Sequence, residues 1–226
     1  MYELPIVIVQ FVNEIDPRNI VHFRGAVIAA LEDKCLLFHN HDNDKLRYAY
    51  PLIQYKRIHK KAAVVGIGKG PEDISQLLNS HDFNYLIGKE QIEMQIEAVN
   101  AYDHKITLTE NAESQFRLRN WLPLNSKNYV QYQNSENMIE RILILEDVLK
   151  GNILSFLKDN GIILDRHAEQ IELHITDIIT QRYITYKKVK LMAFDIEFKV
   201  NLSLPQYIGL GKNASVGCGV LTKITN

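Results

Sequence analysis

Apolar positions along this chain follow two rhythms, one suited to strands and one to helices. The run LPIVIVQFV at 4–12 is rich in Val and Ile and predicts a buried strand. Asp16 then Pro17 predicts a helix start, with a carboxylate cap and proline at the first helical position. Ile20, Phe23, Val27, Ala30 and Leu31 follow at helical spacing, so a helix is expected over about 17–33. Residues 34–45, KCLLFHNHDNDK, run from a short apolar piece into a polar loop. LRYAYPLIQYKRI and KAAVVGIG are strand-like and joined by basic residues. Gly70-Pro71 opens a short helix, PEDISQLL, whose early acids suit the positive end of the helix dipole. QIEMQIEAV alternates like a strand.

That order, β-α-β-β-α-β, is the ferredoxin-like (RRM-like) split unit: an antiparallel sheet with two helices on one face. The second half is less regular. QFRLRNWLPL predicts a strand, and a helix is expected over 136–159 with Ile139, Ile142, Leu143, Val148, Leu149, Leu154 and Leu157 inward. Asn160-Gly161 ends it. IELHITDI alternates, and FDIEFKVNL sets Phe194, Ile196, Phe198, Val200 and Leu202 on one face. GVLTKIT is the last expected strand. The reading is an α+β chain of two tandem ferredoxin-like units with antiparallel sheets, the second a degraded copy, divided as 1–100 and 101–226.

Composition adds little until charge is mapped by position. The net charge of −1 points to no class of partner, and 46% hydrophobic content supports a packed core. Residues 45–70, however, carry seven Lys or Arg (Lys45, Arg47, Lys56, Arg57, Lys60, Lys61, Lys69) and no acid. Residues 173–226 have a net charge of +4, while 1–44, 71–135 and 136–172 are each −4. Two basic segments on an acidic background make one positive face if they meet in the fold. The two cysteines, Cys35 and Cys218, form no disulfide framework or zinc pattern and suit a reducing cytoplasm. No apolar run approaches the roughly 20 residues of a membrane span, and the N-terminal apolar stretch lacks the basic flank of a signal peptide. A cytoplasmic protein with no membrane partner is expected.

Two short segments carry candidate chemistry. The first is LPQYIGLGKNASVGCG, where Gly209, Gly211, Gly217 and Gly219 surround Lys212, Asn213 and Ser215. Glycine lets backbone N–H groups approach a phosphate, and Lys, Asn and Ser are phosphate and sugar contacts in nucleic-acid complexes. The spacing fits neither a P-loop nor a dinucleotide fingerprint. A hairpin loop with two bulges is the competing reading. The second is FHNHDNDK, with His39 and His41 beside Asp42, Asp44 and Lys45. Three readings stand: an HxH metal pair, for which no third ligand lies at ligand spacing; ordinary loop histidines; and an acid–base pair. RNA suits the last without a metal, because its own 2′-OH is the nucleophile and a lysine can stabilise the added charge on the phosphate.

Together, the N-terminal β-α-β-β-α-β half, the histidine loop, YPLIQYK with VGIGKG, and GLGKNASVGCG before the last strand resemble a known family. It is the CRISPR-associated endoribonucleases that process repeat RNA, the sixth Cas family of the RAMP superfamily, in its b-type branch. Cys218 departs from the family's usual aromatic before the last glycine. The resemblance implies two ferredoxin-like domains and binding of precursor repeat RNA. It also implies cleavage without metal or cofactor to a 2′,3′-cyclic phosphate and a 5′-OH. The acid–base role carries to His39 and His41 and the assisting lysine to Lys45, with Lys34 as alternative. Lys56, Arg57, Lys60, Lys61, Lys187, Lys188 and Lys190 become RNA contacts with the glycine loop, although the first four also read as a solvated turn and the last three as protective edge charges. Tyr48, Tyr50 and Tyr55 suit either base stacking or sheet packing. Trp121 reads as core, and His167 and His174 as structural. A non-cleaving repeat-RNA binder or effector-complex subunit is the alternative function; homodimerisation and association with an effector complex stay open.

Overall fold

The computed structural model describes residues 2–31, 41–42, 45–46, 49–79, 83–165 and 170–224. The chain forms two compact units. The N-terminal unit comprises Glu3–His104 and also takes in Ser215–Gly217; the C-terminal unit comprises Tyr2, Lys105–Ala214 and the chain from Cys218. Among the described residues, no helix is long and apolar enough to cross a membrane.

In the N-terminal unit, β1 (Tyr2–Glu14) leads to α1 (Ile20–Ala30) through a 3-10 turn at Pro17–Asn19. Asp16 caps that turn by accepting from the Arg18 N–H, the role expected of the Asp-Pro pair. Two short strands follow, β2 (His41–Asp42) and β3 (Lys45–Leu46), then β4 (Ile53–Ile58), β5 (Lys61–Ile67) and α2 (Gly70–Leu78). A hairpin of β6 (Asn84–Ile87) and β7 (Glu90–Glu93) precedes β8 (Ile96–Ile106). The main sheet runs β4-β5-β1-β8, the ferredoxin-like order, with β5 antiparallel to both β1 and β4. The stretch QIEMQIEAV is therefore two strands: it breaks at Met94, whose N–H donates to Phe83. Phe11, Phe23 and Tyr55 meet edge to face at 5.7 and 5.8 Å, a geometry that adds to the burial of their rings. At Gly66 a Cβ would lie 2.6 Å from Ile74 Cδ1, so glycine there permits the close seat of α2 on β5.

The C-terminal unit repeats the strand order. It contains β9 (Ser114–Trp121), α3 (Ser126–Asn134), α4 (Met138–Asp159), β10 (Leu173–Tyr186), β11 (Val189–Val200) and β12 (Val220–Lys223), with sheet order β10-β11-β9-β12. Residues 201–219, all described, hold no helix; the glycine segment stands where the N-terminal unit has α2. The alternation predicted for 194–202 is observed through Val200, with Phe194, Ile196, Phe198 and Val200 buried; beyond the strand end it breaks, since Asn201 is buried along with Leu202. The expected helix face needs correction. Ile139, Leu143 and Leu154 are exposed, and the inward positions are Leu145, Glu146, Leu149, Ile153, Phe156 and Leu157. Apolar residues on both faces of α4 made the inward stripe ambiguous. Two polar contacts fix α4 on the sheet: Trp121 Nε1 donates to Asn152 Oδ1 at 3.0 Å, and the Ile175 N–H donates to Glu146 Oε1 at 2.8 Å.

Candidate nucleic-acid interface

In each unit the second and third strands of the ferredoxin-like order form a hairpin, and both hairpins turn on basic residues. His59-Lys60 joins β4 to β5 with φ of 47° and 70°, and Lys187-Lys188 joins β10 to β11 with φ of 47° and 65°. Two-residue turns with positive φ match the twist of paired strands and usually take Asn-Gly. A side chain in this region costs about 1–2 kcal/mol per residue. These turns are held against that cost by long ladders, in which β10 and β11 pair from Leu173↔Val200 to Tyr186↔Val189.

The two hairpins use their charges differently. In the N-terminal unit Lys56 is 0% exposed, within β4 opposite Ala63, and is thus withheld from any outer surface. Arg57 is half-buried and its Nε donates to the Ile15 carbonyl at 2.8 Å. Lys61 Nζ pairs with Glu97 at 2.5 Å. Lys60 is exposed at the turn, where its carbonyl accepts from the Ile15 N–H.

In the C-terminal unit β9 pairs with β11 only as far as Trp121↔Phe194, so the hairpin continues beyond the sheet as a two-stranded ribbon. Lys187, Lys188 and Lys190 are exposed on it. Lys190 Nζ lies 4.5 Å from the centroid of the Tyr183 ring and Lys187 Nζ 5.8 Å from that of Tyr186. The Tyr183 and Tyr129 hydroxyls, the latter from α3, hydrogen-bond at 3.0 Å. At the ribbon's base Arg182 NH1 reaches Asp195 Oδ2 at 3.0 Å, and Asp195 Oδ1 accepts from the Asn120 N–H at 2.6 Å. Burial alone would raise the Asp195 carboxyl, but the Asn120 N–H and the Arg182 guanidinium outweigh it and hold the group below its ordinary value. Sequence reasoning missed Arg182, Tyr183, Tyr186 and Tyr129. The first three were visible in RYITYKKVK as aromatics interleaved with cations; Tyr129 is 54 residues away from Tyr183 and no local pattern joins them.

The glycine loop is largely accounted for by packing. Gly219 has φ of 60°, and a Cβ there would lie 1.8 Å from the Leu210 carbonyl oxygen. At Gly211 a Cβ would lie 2.8 Å from Trp121 Nε1. Gly209 bridges Val220, and Gly217 lies against Ile20. Lys212 Nζ donates to the Leu124 carbonyl at 2.7 Å, and partial burial lowers its pKa. Asn213 has φ of 57° and its carbonyl accepts from the Cys218 N–H. Ser215 gives its carbonyl to the Tyr55 N–H at 2.8 Å, and Val216 forms a parallel bridge with Tyr55, so the loop extends the N-terminal sheet at β4.

Lys34 and His39 lie outside the described residues, as do Tyr48 and His167. The backbones of His41 and Lys45 fall in β2 and β3, with His41 opposite Leu46 and Asp42 opposite Lys45. Tyr50 and Tyr55 are buried, Trp121 is core, and His174 is exposed.

Comparison with known proteins gives a family for both halves. Residues 2–105 match the model of the Cas6b N-terminal domain, and residues 108–224 that of the Cas6b C-terminal domain. A crystal structure of Cas6b is 26% identical and superposes with a TM-score of 0.84, covering 99% of this chain and 100% of that one. A crystal structure titled as the CRISPR RNA processing endoribonuclease Cas6b has the same identity and coverage with a TM-score of 0.73. A protein of Methanocaldococcus jannaschii is 33% identical over 104 residues, 46% of this chain and 67% of that one.

Proposed function

Because the chain belongs to the Cas6b family, we propose that it is an endoribonuclease that matures CRISPR RNA by cutting the repeat of its precursor. The observation that supports this most is the exposed basic ribbon: a chain of net charge −1 gathers Lys187, Lys188 and Lys190 on one projecting hairpin, interleaved with Tyr183 and Tyr186. Lysines on such a ribbon attract phosphates without reading sequence, which suits a protein that must hold RNA for cutting.

The chemistry we assign needs no metal. One imidazole of the pair His39 and His41 removes the proton from a 2′-OH, and that oxygen attacks the adjacent phosphorus. The bond from phosphorus to the 5′-oxygen breaks, and the other imidazole returns a proton to that oxygen. The products are a 2′,3′-cyclic phosphate and a 5′-OH. Lys45 stabilises the charge that builds on the phosphate oxygens, with Lys34 as the alternative. Lys60, Lys187, Lys188 and Lys190 hold the RNA, along with Lys212 of the glycine loop.

The test is incubation with repeat RNA in EDTA. Cleavage by the wild type, lost in His39→Ala/His41→Ala with binding retained, supports the assignment. Undiminished cleavage by the double variant removes these histidines from the mechanism, and binding without any cut makes the protein a repeat-RNA binder.

A further inference from the structure

The base of the ribbon holds an arrangement that phosphate binding alone does not require. Tyr183 lies beyond the point where β9 stops pairing, and it remains 47% exposed although it stands on the sheet face that meets the helices. Tyr129, 36% exposed, reaches it from α3. The hydroxyls bond to each other at 3.0 Å, which fixes both rings with little further side-chain entropy to lose. Below them Tyr132, buried, donates to Gln181 Oε1 at 3.0 Å and packs edge to face on Phe194 at 5.7 Å. The pair is thus an exposed aromatic surface on a rigid footing. The hydrogen bond to Tyr183 also holds the Tyr129 phenol above its ordinary pKa.

We propose that Tyr183, supported by Tyr129, is a stacking platform for one unpaired nucleobase, and that Lys190 moves from the Tyr183 ring to the phosphate of that nucleotide. This rests on the RNA-binding reading above and specifies the ligand as a single-stranded nucleotide. Tyr183 is 47% exposed, and the group over its ring, Lys190 Nζ at 4.5 Å from the centroid, is the end of a flexible, exposed side chain. A base on an aromatic ring is held more strongly than an exposed ammonium on the same ring, so the base displaces the cation. The released ammonium lies on a flexible stem within reach of a neighbouring phosphate. A base within a duplex has both faces covered by its neighbours, so the platform selects unpaired nucleotides. Lys187 and Lys188, at the turn, take the flanking phosphates.

The experiment uses the full chain and two probes unrelated to the repeat: a single-stranded RNA carrying 2-aminopurine, and a blunt RNA duplex of equal length. The wild type quenches the 2-aminopurine on binding. Tyr183→Ala binds the single strand about tenfold more weakly and loses the quenching, with duplex affinity changed by less than about twofold. Tyr183→Phe keeps both the quenching and most of the affinity, which separates loss of stacking from loss of folding. Lys190→Ala lowers the salt slope for the single strand by about one unit or slightly less. Equal quenching and affinity in Tyr183→Ala, or equal losses on single strand and duplex, overturns the platform. If such a variant still cuts repeat RNA, the nuclease reading stands without it; if the wild type binds no RNA, both fall.

Discussion

The two hairpins of this protein occupy the same place in the same strand order, yet one engages all its cations but Lys60 with the protein and the other presents them. In the N-terminal unit the ladder between β4 and β5 is backed by β1 as far as Glu14↔Lys61, so its basic residues have protein partners within reach. Arg57 meets Ile15 and Lys61 meets Glu97. In the C-terminal unit β10 and β11 outrun β9, and the overhanging segment carries lysines over tyrosine rings. A count of basic residues treats the hairpins as equals. Strand length relative to the neighbouring strand decides which charges can face a ligand.

Under the proposed function the labour is divided, with chemistry assigned to the N-terminal half and grip to the C-terminal half. The largest expected effect comes from the histidines: His39→Ala/His41→Ala lowers single-turnover cleavage by a factor on the order of 10³ or more, with affinity for repeat RNA changed by less than about threefold. Parallel loss of binding would break the division. Next is Lys187→Ala/Lys188→Ala/Lys190→Ala, which weakens single-stranded RNA binding by about 100-fold near 0.1 M salt, since each phosphate contact contributes about 0.7 of a decade there. Its cleavage rate at saturating protein stays near wild type. Gly219→Ala destabilises the fold by about 3 kcal/mol in denaturant titration, because both the backbone conformation and the Leu210 carbonyl oppose a Cβ. The smallest effects fall on the N-terminal hairpin. Lys60→Ala weakens binding by less than about fivefold, one phosphate contact at most. Lys56→Met, at a buried position, leaves RNA affinity unchanged within about twofold. A larger effect of Lys56→Met than of Lys60→Ala would invert the comparison.

Much of the fold was legible. The Val and Ile of β1, the Asp16-Pro17 and Gly70-Pro71 helix starts, and the alternation of β11 are local signals, and each fell where its pattern indicated. The misses were elements whose stability comes from distant partners. Helix α3, SKNYVQYQN, is polar and buries Tyr132 alone, so it has no apolar stripe to read. The division between β7 and β8 was hidden because QIEMQIEAV alternates without a turn residue at its break, Met94-Gln95. At the candidate interface the charges were visible in RYITYKKVK, but burial of Lys56 and exposure of Lys190 depend on neighbouring strands that no local window contains. The glycine loop invited a phosphate reading through composition, whereas Gly211 and Gly219 answer to close approach by Trp121 and Leu210.

The most direct test of the ribbon as the RNA grip is the salt dependence of binding to single-stranded RNA, compared between the wild type and Lys187→Ala/Lys188→Ala/Lys190→Ala. The slope of log affinity against log salt should become shallower by about 2 units in the variant, as expected for three lost phosphate contacts. An unchanged slope in a variant that folds normally would place the phosphates elsewhere and contradict the account.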